Sequence, residues 1–287
     1  MDNKDTYFSS KCTINCLGRL LDLTSPIVMG IINITPDSFY SASRSRTADE
    51  IVKKAEKHLS EGAAILDIGA VSTRPGAEQI TESEESERLI HALKAIRKTF
   101  PDAILSVDTY RSSIARRLYY DFGIGMVNDI SAGNLDADIF TVIAEIKVPY
   151  VMMHMQGTPA TMQHAPAYTQ VVHEIISFFS EKIRKIQRLG INDIILDPGF
   201  GFGKTIEHNY EILCNLTDFR IFGLPIMVGL SRKSMIYKHL GCTPENALNG
   251  TTVLNTIALM KGTSILRVHD VKEAVETVNL FNKVCAL

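Results

Sequence analysis

The sequence predicts an α/β protein, a (β/α)8 barrel of the TIM type preceded by a short N-terminal extension. Three observations predict it. Eight short apolar runs recur along the 287 residues, and each is continuous rather than alternating. That is the pattern of strands buried on both faces of a parallel sheet. Helical patterns lie between the runs, and strands alternating with helices in this number argue for closure into a barrel. No linker or low-complexity tract interrupts the chain, whose length suits a barrel of about 250 residues in one domain. A doubly wound open sheet shares the periodicity, which does not itself prove closure.

The elements follow in order. Residues 1–25 hold short alternating stretches that suit a hairpin covering the barrel bottom. "PIVMGIIN" (26–33) is the first barrel strand. "TADEIVKKAEKHL" then opens with a capping box from Thr47 to Glu50 and repeats Ile51, Ala55 and Leu59 on one face. "AAILDIG" (63–69) is the second strand; "TESEESERLIHALKAI" opens with another box, Thr81 to Glu84, and repeats Leu89, Leu93 and Ile96. "AILSVDT" (103–109), "IGMVNDI" (124–130) and "VPYVMMHM" (148–155) come next. A helix over 168–189 presents Val172, Ile175, Phe179, Ile183 and Ile186. "DIILDPG" (193–199), "PIMVGLS" (225–231) and "SILRVHD" (264–270) complete the strands. Thr243-Pro244 is an N-cap followed by proline at the first helical position. Asp270 with Glu273 starts the last helix.

Composition narrows the function. The chain is 45% hydrophobic and 22% charged, as an ordinary globular protein is. With a formal charge of −2 it offers no global basic field for nucleic acid, so an anionic ligand needs a few local cations. The first residues, "MDNKDTYFSS", are polar and do not read as a secretory signal. The apolar runs are shorter than the roughly 20 residues of a membrane helix. Five cysteines, an odd number with no C-x-x-C pair, fit the reduced thiols of a cytoplasm.

A barrel carries its active site at the C-terminal ends of its strands. Those ends read Asn33, the Thr73-Arg74 loop, Asp108, Asn128, His154 with Gln156, Asp197, Ser231-Arg232-Lys233, and Arg267 with His269. A polar or ionisable group at every strand end points to a functional top face. Lys233, Arg267 and His269 follow the seventh and eighth strands, where barrels often hold phosphate. Arg232 and Lys233 are either solvated residues of a first helical turn or ligand-binding cations; cations there oppose the helix dipole, which favours an anionic ligand. Asp108, Asn128 and Asp197 could face a flat heterocycle with adjacent donors and acceptors, although Asp108 could equally cap the next helix. The segments 33–47 and 69–82 are long for βα connections and suit lids. His58, His91 and His173 lie in helices near solvent, and His154, set between methionines, reads as a packed histidine. No cysteine or histidine cluster suggests a transition metal; Asn33 with phosphate oxygens suits Mg2+, which needs few protein ligands.

"DPGFGFGKT" (197–205) ends like a P-loop, but Pro198 stands where the first glycine belongs and has no N–H to offer phosphate. The stretch divides instead. Asp197 meets the heterocycle, the glycines turn the backbone, Phe202 walls a second substrate, and Lys204-Thr205 begin the next helix.

Taken together, "MGIINITPDSF", "GAVSTRPGA", "ILSVDT", "NDIS", "MMHMQGTPATMQ", "ILDPGFGFGKT", "GLSRKSMI" and "RVHDV" resemble the bacterial dihydropteroate synthases, from about Val28 to the C-terminus. The resemblance implies a cytoplasmic, homodimeric transferase of folate biosynthesis using Mg2+. It would join 6-hydroxymethyl-7,8-dihydropterin diphosphate to 4-aminobenzoate by dissociative loss of diphosphate. By the same resemblance Asp108, Asn128, Asp197, Lys233 and Met153 would bind the pterin. Asn33, Thr73, Arg267 and His269 would bind the diphosphate, with Asn33 also at the metal. Phe39, Thr73, Pro75, Phe202, Lys233 and Ser234 would form the 4-aminobenzoate pocket, its carboxylate near the helix that begins around Arg232. Asp108, Lys233, Thr73, Arg74 and Asp37 would serve catalysis. Two departures, Val71 where many members carry Glu and "YSASRSR" after Phe39, bear on loop closure. A pterin-binding barrel handling methyltetrahydrofolate is the competing enzyme, but it needs no diphosphate site. A non-catalytic folate-binding protein would be expected to have lost an Asp, Asn or Lys from the site.

Overall fold

The computed structural model describes residues 11–34, 44–70, 80–159, 161–162 and 166–286. The chain begins with an antiparallel hairpin, β1 (Thr13–Cys16) and β2 (Arg19–Asp22). Its turn is made by Leu17 and Gly18, both at positive φ (56° and 83°), as the tightest hairpin connections require.

The barrel strands are β3 (Ile27–Asn33), β4 (Ile65–Gly69), β5 (Leu105–Asp108), β6 (Met126–Asp129), β7 (Tyr150–Met153), β8 (Ile194–Asp197), β9 (Met227–Val228) and β10 (Ile265–Val268). All the neighbouring pairs are parallel, in the order β8-β7-β6-β5-β4-β3-β10-β9. A parallel bridge from Leu196 to Ile226 joins the two ends, and Leu196 N–H donates to the Pro225 carbonyl at 2.9 Å. The eight apolar runs are therefore the eight strands of a barrel, as expected, and closure rests on this narrow seam beside the two-residue β9.

Helices α1 (Arg44–Ser60), α2 (Glu82–Thr99), α3 (Ser112–Phe122), α4 (Ile139–Ile146), α5 (Val171–Gln187), α6 (Ile206–Cys214), α7 (Ser234–Tyr237), α8 (Leu248–Met260) and α9 (Val271–Cys285) alternate with the strands. The box at Thr81 and Glu84 caps α2 as the sequence predicts. Three helix starts differ. Helix α1 begins at Arg44, so Thr47 lies inside it rather than at its cap. Thr243-Pro244 opens a 3-10 turn (Pro244–Asn246) that leads into α8. Asp270 precedes α9 without capping it, because Arg232 takes its carboxylate.

Alternation along each strand divides the core in two. Val28, Ile32, Leu66, Ile68, Leu105, Val107, Val127, Ile194, Leu196, Val228 and Leu266 face outward into the layer beneath the helices. Met29, Ile65, Met126, Val151, Ile195, Met227 and Ile265 face inward, and Ile14, Cys16 and Leu23 of the N-terminal segment pack against them. The hairpin thus plugs the bottom of the barrel, as expected. Each such side chain contributes about 1.5–3 kcal/mol when fully buried. Two residues above this apolar floor, the inward positions of β4, β5, β6, β8 and β10 turn polar.

Candidate active site

Two residues on from Ile65, Met126 and Ile265 stand Asp67, Asn128 and Arg267, each on the inner side of its strand. Ser106 of β5 joins them. Asp67 is fully buried and accepts hydrogen bonds from Ser106 Oγ (2.6 Å), Asn128 Nδ2 (3.1 Å) and Arg267 Nε (2.7 Å). The guanidinium of Arg267 also donates from Nη2 to Asp108 Oδ2 at 2.7 Å. It thus lies between two carboxylates, which hold its proton more tightly than usual although burial works against the cation. Burial pushes the Asp108 carboxyl up to about 7, against the pull of Arg267. Asp108 does not cap the next helix: the first amide of α3, on Ser112, is taken by Asp136 at 2.7 Å.

One level higher, Asp197 ends β8. Burial raises its carboxyl above the usual range, with Lys233 opposing, and Oδ1 accepts the Gly199 N–H at 2.8 Å. Lys233 donates to the Phe200 carbonyl and lies 4.8 Å from the centre of the Phe202 ring. Burial lowers its ammonium to about 8, while Asp197 supports the charge. Four amides of 197–205 are committed within the protein: Gly199 to Asp197, Gly201 to Asn209 Oδ1 (2.7 Å), Phe202 to the Gly199 carbonyl (3.1 Å) and Thr205 to His208 Nδ1 (3.3 Å). They do not converge on a phosphate space. Glycine is required here for close approach: a Cβ on Gly199 would stand 1.9 Å from the His154 carbonyl oxygen, and one on Gly203 2.5 Å from that of Gln156.

Around this polar centre lies an apolar rim. Met153 clusters with Ile130, Met155 and Met162, and Tyr110, Leu135 and Phe202 pack on them. Ser234 is the first residue of α7, directly after Lys233. Asn33 ends β3; a Cβ on Gly69 would be 3.6 Å from Asp108 Oδ2 and 3.8 Å from Asn33 Oδ1, so both oxygens flank the same glycine. His269 donates its backbone N–H to Ser231 Oγ at 3.2 Å. Burial, with the nearby Lys54 and Arg267 cations, lowers its imidazole to about 4, so it stands at neutral pH as an uncharged ring rather than as a cation. Asp37, Phe39, Thr73, Arg74 and Pro75 lie outside the described residues.

Several expectations change. Arg232 is neither solvated nor free for an anion. It adopts φ +54°, pairs both ways with Asp270 (2.8 and 2.9 Å) and donates to the carbonyls of Pro244 and Glu245. Lys204 does not simply begin a helix: it is buried, its ammonium held by His154 Nδ1 (3.0 Å) and the carbonyls of His154, Gly199 and Phe202. Thr205 caps α6, in a reciprocal box with His208. His154 is packed, as expected, with Phe178 edge-on at 4.9 Å. His58 is buried rather than near solvent, its ring 3.0 Å from where a Gly30 Cβ would be. Reading the strand ends does not pick out Asp67, although a lone carboxylate inside "AAILDIG" is a signal, because a buried charge needs partners. Nor does that reading pick out Asp129. It points outward and binds Ser131, Gly133 and the Tyr150 hydroxyl, which fixes the loop after β6.

The arrangement offers carboxylates and an amide for a donor-rich heterocycle, a desolvated ammonium beside an aromatic ring, and hard oxygen donors at the rim. A family model described as pterin binding enzyme matches residues 29–269. The chain is 42% identical over 269 residues to the dihydropteroate synthase of Escherichia coli strain K12, covering 92% of this chain and 93% of that one. A structure of the Yersinia pestis dihydropteroate synthase with a sulfonamide drug complex superposes with a TM-score of 0.89 at 39% identity, covering 96% of this chain and all of that one. The Xanthomonas albilineans dihydropteroate synthase with 4-aminobenzoic acid superposes at 0.88 and 36% identity, covering 97% of this chain and all of that one.

Proposed function

From the premise that the chain belongs to the pterin-binding enzymes, we propose that it works as a dihydropteroate synthase. It condenses 6-hydroxymethyl-7,8-dihydropterin diphosphate with 4-aminobenzoate, giving 7,8-dihydropteroate and pyrophosphate in folate biosynthesis. The observation that supports this most is the convergence of Asp108, Asn128, Asp197 and Lys233, from separate strands and one loop, on one end of a barrel whose relatives carry that activity.

Asn128 and Asp197 grip the pterin edge. Asp197 uses one oxygen on Gly199 and offers the other to adjacent ring and amino N–H groups. Met153 lies against the ring face. The bond from the pterin methylene to the diphosphate oxygen breaks first, and its electron pair leaves with diphosphate. Asp108, buried beside the ring, stabilises the positive charge left on the methylene pterin. Arg267, His269 and Asn33 border the space for the leaving diphosphate. The lone pair of the 4-aminobenzoate nitrogen then forms the C–N bond, and the nitrogen gives up a proton. Phe202 and Ser234 wall that second pocket. No enzymatic nucleophile is required. Thr73, Arg74, Pro75, Asp37 and Phe39 complete the site in this proposal by excluding water.

Mg2+ suits this site because the Asn33 amide oxygen is a hard donor beside a carboxylate, and Mg2+ binds through few protein ligands and substrate phosphates. When bound, the ion neutralises charge on the diphosphate. The same proposal makes the chain a cytoplasmic homodimer, which sedimentation equilibrium tests. The reaction is tested with the pterin diphosphate and radiolabelled 4-aminobenzoate, with and without Mg2+. Labelled dihydropteroate is expected. None from folded protein overturns the proposal.

A further inference from the structure

Lys204 is an ammonium caged by neutral groups. His154 Nδ1, the Gly199 carbonyl and the Phe202 carbonyl each lie 3.0 Å from Nζ, and the His154 carbonyl lies 3.2 Å away. No carboxylate reaches Nζ among these contacts. The side chain therefore gives up hydration for converging carbonyl dipoles, an expensive arrangement that a structural surface lysine never needs.

What the cage holds is specific. Two of its carbonyls, those of Gly199 and Phe202, bracket Phe200, and the Phe200 carbonyl is the hydrogen-bond partner of Lys233. The Phe202 ring is the surface over which the Lys233 ammonium sits. The other two cage groups belong to His154, just beyond the end of β7. Its backbone N–H bonds the Asp197 carbonyl at 3.0 Å, and its ring is braced by Phe178. Gly199 and Gly203 fit against the His154 and Gln156 carbonyls with no room for a Cβ. Tyr168 donates its hydroxyl to the Gly203 carbonyl at 2.9 Å. The loop 199–204 is thus fastened to the end of β7 by one interior cation, and that loop presents the aromatic wall and the anchor of Lys233.

We propose that Lys204 is a positioning residue for the second substrate: by holding the Gly199 and Phe202 carbonyls, it fixes the Phe202 ring and the Lys233 ammonium around the arylamine pocket. This rests on the dihydropteroate synthase activity proposed above. Lys204 itself touches no substrate. Burial lowers its proton affinity well below that of a free lysine, with the Asp197 carboxylate opposing and the Lys233 cation adding to the fall.

The test is a double-mutant cycle on the full chain. Lys204→Met keeps the length of the side chain and removes the ammonium. In a folded variant, kcat/KM for 4-aminobenzoate is expected to fall by about 10- to 100-fold, the scale of a misplacement near 1 Å. The fall should lie mainly in KM for 4-aminobenzoate rather than in KM for the pterin diphosphate. On a Phe202→Ala background the same substitution should cost less than about threefold, because residues acting through one another are not additive. Equal losses in both backgrounds, or no loss, overturn the inference. If Lys204→Met does not fold, His154→Leu removes one cage acceptor and leaves the carbonyls; the same non-additivity with Phe202→Ala is expected, and additivity overturns it. Wild-type turnover in the same assay separates the two ideas. Inactive wild type sinks the reaction, whereas active wild type with an unaffected Lys204→Met sinks only the positioning role.

Discussion

Arg267 and Asp108 are 159 residues apart in the chain and 2.7 Å apart in the barrel. The same guanidinium holds Asp67 at 2.7 Å, so one cation from β10 ties two carboxylates from β4 and β5. This pairing decides what the inner polar layer can do. Asp67 is consumed by the protein, whereas Asp108, at the strand end and beside Asn33, remains partly open toward the mouth.

Removing Asp67 should therefore be worse than its distance from the mouth suggests. Asp67→Ala leaves a buried guanidinium with one partner and two donors, on Ser106 and Asn128, without theirs. A loss of about 3–5 kcal/mol is expected, as for other broken buried pairs. Urea unfolding measures it. Ser106→Ala, which removes one neutral donor, should cost nearer 1 kcal/mol.

Lys233→Ala should separate activity from stability. The ammonium is desolvated and held at about 8, so its removal relieves a buried charge. The melting temperature should stay nearly unchanged while turnover falls by about 10²-fold or more, the usual cost of losing a placed charge in a site. A collapse in melting temperature would mark Lys233 as structural.

The pH dependence has two limbs. Asp108 has a raised carboxyl, so the folded state favours its protonated form. Its contribution is present below the ordinary carboxylate range and is lost as pH rises through about 7. Lys233 is lowered, so its contribution is present above the ordinary lysine range and is lost as pH falls through about 8. Both groups are charged between pH 7 and 8, where their joint contribution is smallest. Denaturation at pH 5 and pH 7 should show Asp108→Asn flattening the acid limb, by at most about 1.4 kcal/mol per pH unit.

Two glycine substitutions give a controlled comparison. Gly199 and Gly241 have positive φ (74° and 63°), but a Cβ on Gly199 meets the His154 carbonyl while one on Gly241 meets nothing within 4 Å. Gly241→Ala should cost about 1–2 kcal/mol for the left-handed backbone alone. Gly199→Ala should cost clearly more and abolish activity, since the loop beneath Phe202 must move. Melting curves and turnover on both variants check this.

Ile14→Ala tests the plug. Ile14 is fully buried against the apolar floor of the barrel, at the end away from Asp108. A loss of about 2–5 kcal/mol is expected, with KM for both substrates unchanged at temperatures where the variant stays folded.

Much of the site was legible because strand ends announce themselves. Asp108, Asn128 and Asp197 each close an apolar run, and a barrel gathers such ends at one mouth. The charges that serve the fold were harder to see. Arg232 and Lys233 are adjacent in sequence, yet one is clamped to Asp270 and the other points to Phe200 and Phe202. Backbone direction separates them, since Arg232 sits at φ +54° and Lys233 at −76°. Lys204 looked like the start of a helix because its partners are backbone carbonyls, and those carry no sequence signature.

The sequence by itself determined the strands, most helix positions, the apolar floor and the identity of the chemical groups at the mouth. These follow from local periodicity, which a side chain obeys within a few residues of itself. Tertiary structure decided closure at the Leu196–Ile226 seam, the split of Arg267 between Asp67 and Asp108, and the cage around Lys204. Each joins groups from different strands or loops. A charge takes whichever partner the closed barrel brings within 3 Å, because an unpaired charge inside it is too costly to keep.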